Sequence, residues 1–122
     1  MTDYLTLDDA LLVAHEFGFI VGDAGLLASA LARPATTVFG KDAYATLSRK
    51  AAALLESVVR NHPFIDGNKR TGWTLMVTFC FLNGYIHDFT TDEGYDLVIG
   101  IAEARVYLDA AEQAIVAHLV PR

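Results

Sequence analysis

Between Asn61 and Thr71 the chain reads His62, Pro63, Phe64, Ile65, Asp66, Gly67, Asn68, Lys69, Arg70, a run that collects an imidazole, a carboxylate, a glycine and two cations. A neutral imidazole accepts a proton near physiological pH, so His62 suits general-base work on a hydroxyl nucleophile; the alternative is a histidine that merely ends a helix. Asp66 offers the hard oxygen ligands that Mg²⁺ takes together with substrate phosphates, and the same carboxylate just before a helix also serves as a cap. A metal held by His62 and Asp66 alone fits the spacing, but no third protein ligand stands nearby. Gly67 lets backbone N–H groups approach an anion closely. Lys69 adds a point charge and Arg70 a planar fork of donors, two complementary ways to hold phosphate oxygens. Two cations at a helix start oppose its dipole, and a bound anion resolves that conflict. Phe64 is expected to anchor the loop in the core.

The flanking segments explain why these residues sit on a loop. From Asp42 to Asn61 the apolar positions Tyr44, Leu47, Ala51, Leu54, Leu55 and Val58 recur at three- and four-residue steps, the mark of one face of a long amphipathic helix. It stops at His62, because Pro63 restricts that residue and cannot extend the hydrogen-bond ladder. From about Lys69 to Asn83 an apolar run with Trp73, Leu75, Met76, Val77, Phe79, Cys80, Phe81 and Leu82 predicts a helix buried on nearly its whole circumference, ended by Asn83 and Gly84. The loop therefore opens onto a helix N-terminus, where unpaired N–H groups and the dipole favour phosphate.

Elsewhere, Thr6 with Asp8 and Asp9 begins a helix running to about Glu16, and a second spans Asp23 to Ala32, ending before Arg33 because Pro34 follows. Thr36 to Phe39, closed by Gly40, favours an extended flap. Helices from about Asp92 to Ala104 and from Leu108 to Leu119 complete an all-α domain of about six helices occupying residues 1–122.

With 53% hydrophobic and 20% charged residues, the chain has little room for disorder, and either it leaves apolar surface for a partner to cover or it is simply rich in core alanine. Its formal charge of −6 argues against broad attraction to nucleic acid or anionic lipid. Cys80, the single cysteine, has no partner for a disulfide and is expected reduced and buried, which with the absence of a signal-peptide pattern points to the cytoplasm. The apolar stretch near Leu75 to Leu82 falls short of the roughly 20 residues of a membrane span. His15, His87 and His118 lack chemical company and read as structural or surface residues.

The run H-P-F-I-D-G-N-K-R resembles the signature loop of the Fic/Doc family, in particular its Doc (death-on-curing) branch. A looser likeness extends over Leu27 to Pro34, the Ala-rich helix before the loop, and Phe81 to Gly84. Most Fic enzymes transfer AMP from ATP to a protein hydroxyl and carry glycine at the place of Lys69 and a second arginine at the place of Trp73. Both departures match Doc, whose members move the γ-phosphate onto a threonine of elongation factor Tu and halt translation. The resemblance implies His62 as base, Asp66 for Mg²⁺ or substrate orientation, Lys69 as a catalytic phosphate contact, and Gly67, Asn68, Lys69 and Arg70 around the phosphates of ATP. It further implies a substrate-aligning flap at Thr37, Val38 and Phe39, and an antitoxin protein whose segment crosses an apolar groove. Arg60 offers either a further phosphate contact or a solvated side chain. Thr90 and Glu93 stand one residue too close for the family's inhibitory Ser/Thr-x-x-x-Glu motif, which favours control by a separate partner. AMP transfer, or a binding module without turnover, stay as alternatives on sequence grounds.

Overall fold

The computed structural model describes all 122 residues. Thr6 opens helix α1 (Leu7–Phe17) with a reciprocal cap: its hydroxyl accepts from the Asp9 N–H and the Asp9 carboxylate accepts from the Thr6 N–H. Asp23 caps α2 (Ala24–Ala32), which tightens into a 3-10 turn over Arg33–Ala35. Arg33 does not leave the helical region as expected; it keeps φ −54° and ψ −46° despite the following Pro34. Its guanidinium supplies the reason. Nε donates to Tyr44 Oη at 2.8 Å, while Nη1 lies within 3.2 Å of the Ala53 carbonyl, Glu56 Oε1 and Ser57 Oγ. Those tertiary bonds outweigh the local preference before a proline.

The extended flap expected at Thr36 to Gly40 is one limb of a hairpin. Strand β1 (Thr37–Val38) pairs antiparallel with β2 (Lys41–Asp42) in the register Thr37 to Asp42 and Val38 to Lys41. Phe39 and Gly40 at the turn have φ of +52° and +77°, the sense of twist that two-residue hairpin turns require. The long helix consequently starts later than Asp42. Thr46 accepts the Arg49 N–H and caps α3 (Leu47–Asn61), so Tyr44 lies in the connection and not on the helix face.

Helix α3 is the centre of the domain, and its Ala51, Ala52, Leu55 and Val58 have no exposed surface. Helix α4 (Asn68–Leu82) lies against it, closest at Gly72, where a Cβ would stand 3.0 Å from Val59 Cγ2. One face of α4 is buried through Thr71, Leu75, Met76, Phe79 and Cys80, but Phe81 and Leu82 are 48% and 41% exposed, so the helix is less enclosed than its composition implies. Strand β3 (Tyr85–His87) follows, then α5 (Thr91–Ala102) and α6 (Leu108–His118). The chain ends in β4 (Leu119–Pro121), antiparallel to β3. Leu119 thus begins a strand where a helix end was expected, because Pro121 cannot continue a helix and is tolerated on a sheet edge. Six helices with two small two-stranded sheets agree with the expected all-α class. No helix is long and apolar enough to cross a membrane.

Two measurements probe this core. Gly72→Val forces two methyl groups into the α3–α4 contact and is expected to cost about 2 kcal/mol in urea unfolding. Burial pushes the Cys80 thiol from 9.0 up to about 12. The unfolded chain ionises this thiol first, so its contribution is constant below about pH 9 and declines by up to about 1.4 kcal/mol per pH unit between there and about pH 12. Cys80→Ala should flatten the alkaline limb of the stability profile.

Candidate active site

The loop from His62 to Gly67 is held from two sides. On one side it is stitched to the segment between α1 and α2: the Pro63 carbonyl accepts the N–H groups of Gly22 and Asp23, and the Ile65 N–H donates to the Ile20 carbonyl, each at 2.9 Å. Val21 and Phe64 form an antiparallel bridge there. The approach is close at Gly22, where a Cβ would lie 3.2 Å from Ile65 Cγ1. On the other side the buried Asn68 carboxamide takes both backbone groups of Phe64, accepting its N–H through Oδ1 and donating through Nδ2 to its carbonyl, each at 2.9 Å. Phe64 itself is buried edge-on against Phe19, the anchoring role expected of it.

His62 ends α3 at φ +53°, a left-handed conformation that costs a non-glycine residue about 1 kcal/mol. Its ring is exposed and hydrogen-bonds to nothing in the chain. Asp66 does not cap α4: its Oδ1 accepts the Gly67 N–H, ahead of the helix, at 2.8 Å, and its Oδ2 is uncommitted. Gly67, at φ +73°, is the N-cap of α4 and supplies no side-chain bond. Helices α1, α2, α3 and α5 have a side-chain cap; α6 lacks one, and so does α4, whose first N–H groups, on Asn68, Lys69 and Arg70, have no acceptor within the chain.

Lys69 and Arg70 flank this bare terminus, exposed and, like Lys41 and Arg122, without a carboxylate partner, while Arg33, Arg49, Lys50, Arg60 and Arg105 form ion pairs. The Arg70 guanidinium lies over the Phe19 ring, 5.7 Å from its centre, and close to Gly67, where a Cβ would be 3.4 Å from Nη2. Two cavities flank the loop. One of 420 Å³ runs between Arg33 and Thr36 at the hairpin base and Ser57 and Asn61 beside His62. The other, 650 Å³, starts at Lys69 and Arg70 and extends between α4 and α5 past Phe19, Trp73, Phe89 and Tyr95.

Several expectations change at this level. Asn68, expected among the phosphate contacts, has its side chain engaged with Phe64, and what it can offer an anion is its backbone N–H. Arg60 is neither a phosphate contact nor a solvated residue, since it donates to the Ile101 and Val106 carbonyls at 3.1 Å and lies over the Tyr107 ring. Trp73 is a wall residue, edge-on to His87 and Phe89. Thr90 and Glu93 form the reciprocal cap of α5, and the hydrogen bond from the Thr90 backbone holds the Glu93 carboxyl below its usual range. The hairpin residues Thr37, Val38 and Phe39 are exposed. Arg33 and Lys50 are the residues that sequence reasoning missed. Lys50 had a signal, because it falls on the same helical face as Leu47, Ala51 and Leu54, where a cation needs a buried partner.

A family model described as Fic/DOC family matches residues 3–80, which include the whole loop and nearly all of α4. The chain is also 47% identical to a protein named Toxin Doc from Mycolicibacterium smegmatis, with 93% of each chain covered. Asn68→Ala orphans both Phe64 backbone groups and is expected to lower stability by about 2–3 kcal/mol. The check is urea denaturation together with hydrogen exchange at the Phe64 amide.

Proposed function

The chain belongs to the Fic/Doc family, and we propose that it is the toxin of a toxin–antitoxin pair, an ATP-dependent phosphotransferase that modifies a Thr or Ser hydroxyl of elongation factor Tu in the cytoplasm and so arrests translation. The observation that carries this reading is the uncapped N-terminus of α4, with two unpaired cations beside it and a free imidazole one loop away. In this reading the phosphates of ATP lie against the N–H groups of Asn68, Lys69 and Arg70, with the close backbone approach at Gly67 and the Lys69 and Arg70 side chains on the outer oxygens. His62 takes the proton of the acceptor hydroxyl as its oxygen bonds to the γ-phosphorus. The bond from that phosphorus to the β,γ-bridging oxygen breaks, and ADP leaves. Phosphoryl transfer asks a protein mainly for such positioning and charge stabilisation.

Asp66 fits Mg²⁺ through its uncommitted Oδ2, beside the helix terminus that would receive the phosphates. When bound there, the ion neutralises phosphate charge. Lys69 supplies a cation where AMP-transferring relatives of the family have glycine, and Trp73 occupies the place of their second arginine, so γ-transfer is favoured over AMP transfer. The hairpin with Thr37, Val38 and Phe39 would align the acceptor backbone. The cavity past Phe19, Trp73 and Phe89 would receive an apolar segment of the antitoxin, consistent with the toxin name of the Mycolicibacterium smegmatis relative.

Incubation with elongation factor Tu and ATP labelled at the α- or γ-phosphate tests the reading. Label from γ is the expected result; label from α would replace the kinase reading with AMP transfer, and none from either would leave a binding module. His62→Ala should slow transfer about 10²–10⁴-fold without loss of fold, and Lys69→Gly should abolish γ-transfer. Undiminished activity in either variant refutes the role given to that residue.

A further inference from the structure

Lys50 is among the largest fully buried side chains, at 2% exposure, and it takes no part in the chemistry above. Its Nζ reaches from α3 to Asp42 Oδ2 on β2 at 3.0 Å and also donates to the Tyr44 carbonyl. The pair is lopsided: Asp42 is half exposed while the lysine is enclosed. An enclosed cation cannot lose its carboxylate cheaply, because water does not replace the partner. Asp42 is therefore tied to Lys50 far more tightly than a surface aspartate would be.

The hairpin needs such a tie. Two strands of two residues cannot hold their own orientation, and none of the four residues is buried, so packing does not fix them. Arg33 adds a second tether through Tyr44 Oη. The tip these tethers aim is apolar: Val38 is 53% exposed and Phe39 fully so. His62 closes the same helix that carries Lys50, about 18 Å further along its axis. A single rigid helix thus sets both the hairpin and the base.

We propose that Lys50, through Asp42, is a positioning residue that holds the hairpin tip in the orientation a protein acceptor must meet to bring its hydroxyl to His62. This rests on the acceptor-aligning role given to the hairpin in the proposed function. Loss of the pair leaves the site around Lys69 and Arg70 intact and weakens only acceptor docking.

The test compares the full-length chain with Lys50→Met, Lys50→Arg and Asp42→Asn in two measurements. The first is hydrogen exchange at the Ala43 amide, which bonds to the Thr36 carbonyl across the open end of the hairpin. The second is steady-state transfer of whichever labelled group of ATP the unaltered chain moves onto elongation factor Tu. Lys50→Met and Asp42→Asn should exchange at least ten-fold faster at Ala43 and raise the KM for the acceptor about ten-fold, with the KM for ATP and kcat at saturating acceptor unchanged. Lys50→Arg should recover part of both effects. Unaltered exchange overturns the proposal, as does faster exchange with an unaltered acceptor KM, or an equal rise in the KM for ATP. Should Lys50→Met fail to fold, Asp42→Asn, at a half-exposed position, decides the matter. An unaltered chain that transfers nothing refutes the proposed activity and with it the acceptor role, while the exchange rates still judge the ion pair as the hairpin's anchor.

Discussion

The structure depends on how one buried peptide unit is satisfied. Phe64 must enter the core to anchor the loop, and its N–H and carbonyl enter with it; left unpaired, each would cost about 1–3 kcal/mol. Asn68 meets both through a single carboxamide. Since Asn68 is also the first residue of α4, this closes a short ring that joins loop and helix start. The opposite flank of the loop is already bonded to Ile20, Gly22 and Asp23, so the chain between His62 and Gly67 has little freedom left. Gly67, the N-cap of α4, has no side chain, so the start of the helix beside this anchored loop is left bare.

Electrostatics follow a similar division of labour. The chain carries a formal charge of −6, yet Lys69 and Arg70 make the start of α4 basic. Asp9, Asp23 and Glu93 cap helices, and Glu56, Asp109 and Glu112 engage Arg33, Arg49 and Arg60. Lys69 and Arg70 pair with none of these acids. Positive charge is thus concentrated locally beside the loop, and the net negative charge works against loose association with nucleic acid.

The same economy explains the two cavities. The polar one adjoins the hairpin and the His62 end of the loop, and the aromatic one adjoins the Lys69 and Arg70 end. A hydroxyl acceptor and an apolar partner would approach from different sides of one anchored loop. Arg33 links the polar cavity to the hairpin through Tyr44, so the cavity wall and the flap are not independent parts.

Local chemistry was legible in the residues themselves. The run from His62 to Arg70, the stop at Pro63, the start of α1 at Thr6 and the amphipathic register of α3 depend on neighbours within a few positions, and the order of six helices follows from them. The β3–β4 pair, the helical Arg33 before Pro34, the partners of Lys50 and the inward turn of Asn68 depend on groups between four and several tens of residues away. No propensity or periodicity contains those distances. Sequence alone determined that a loop carrying an imidazole, a carboxylate and two cations precedes a helix; tertiary structure decided which of its polar groups build the loop and which stay unengaged, because a buried donor or acceptor must first satisfy the fold.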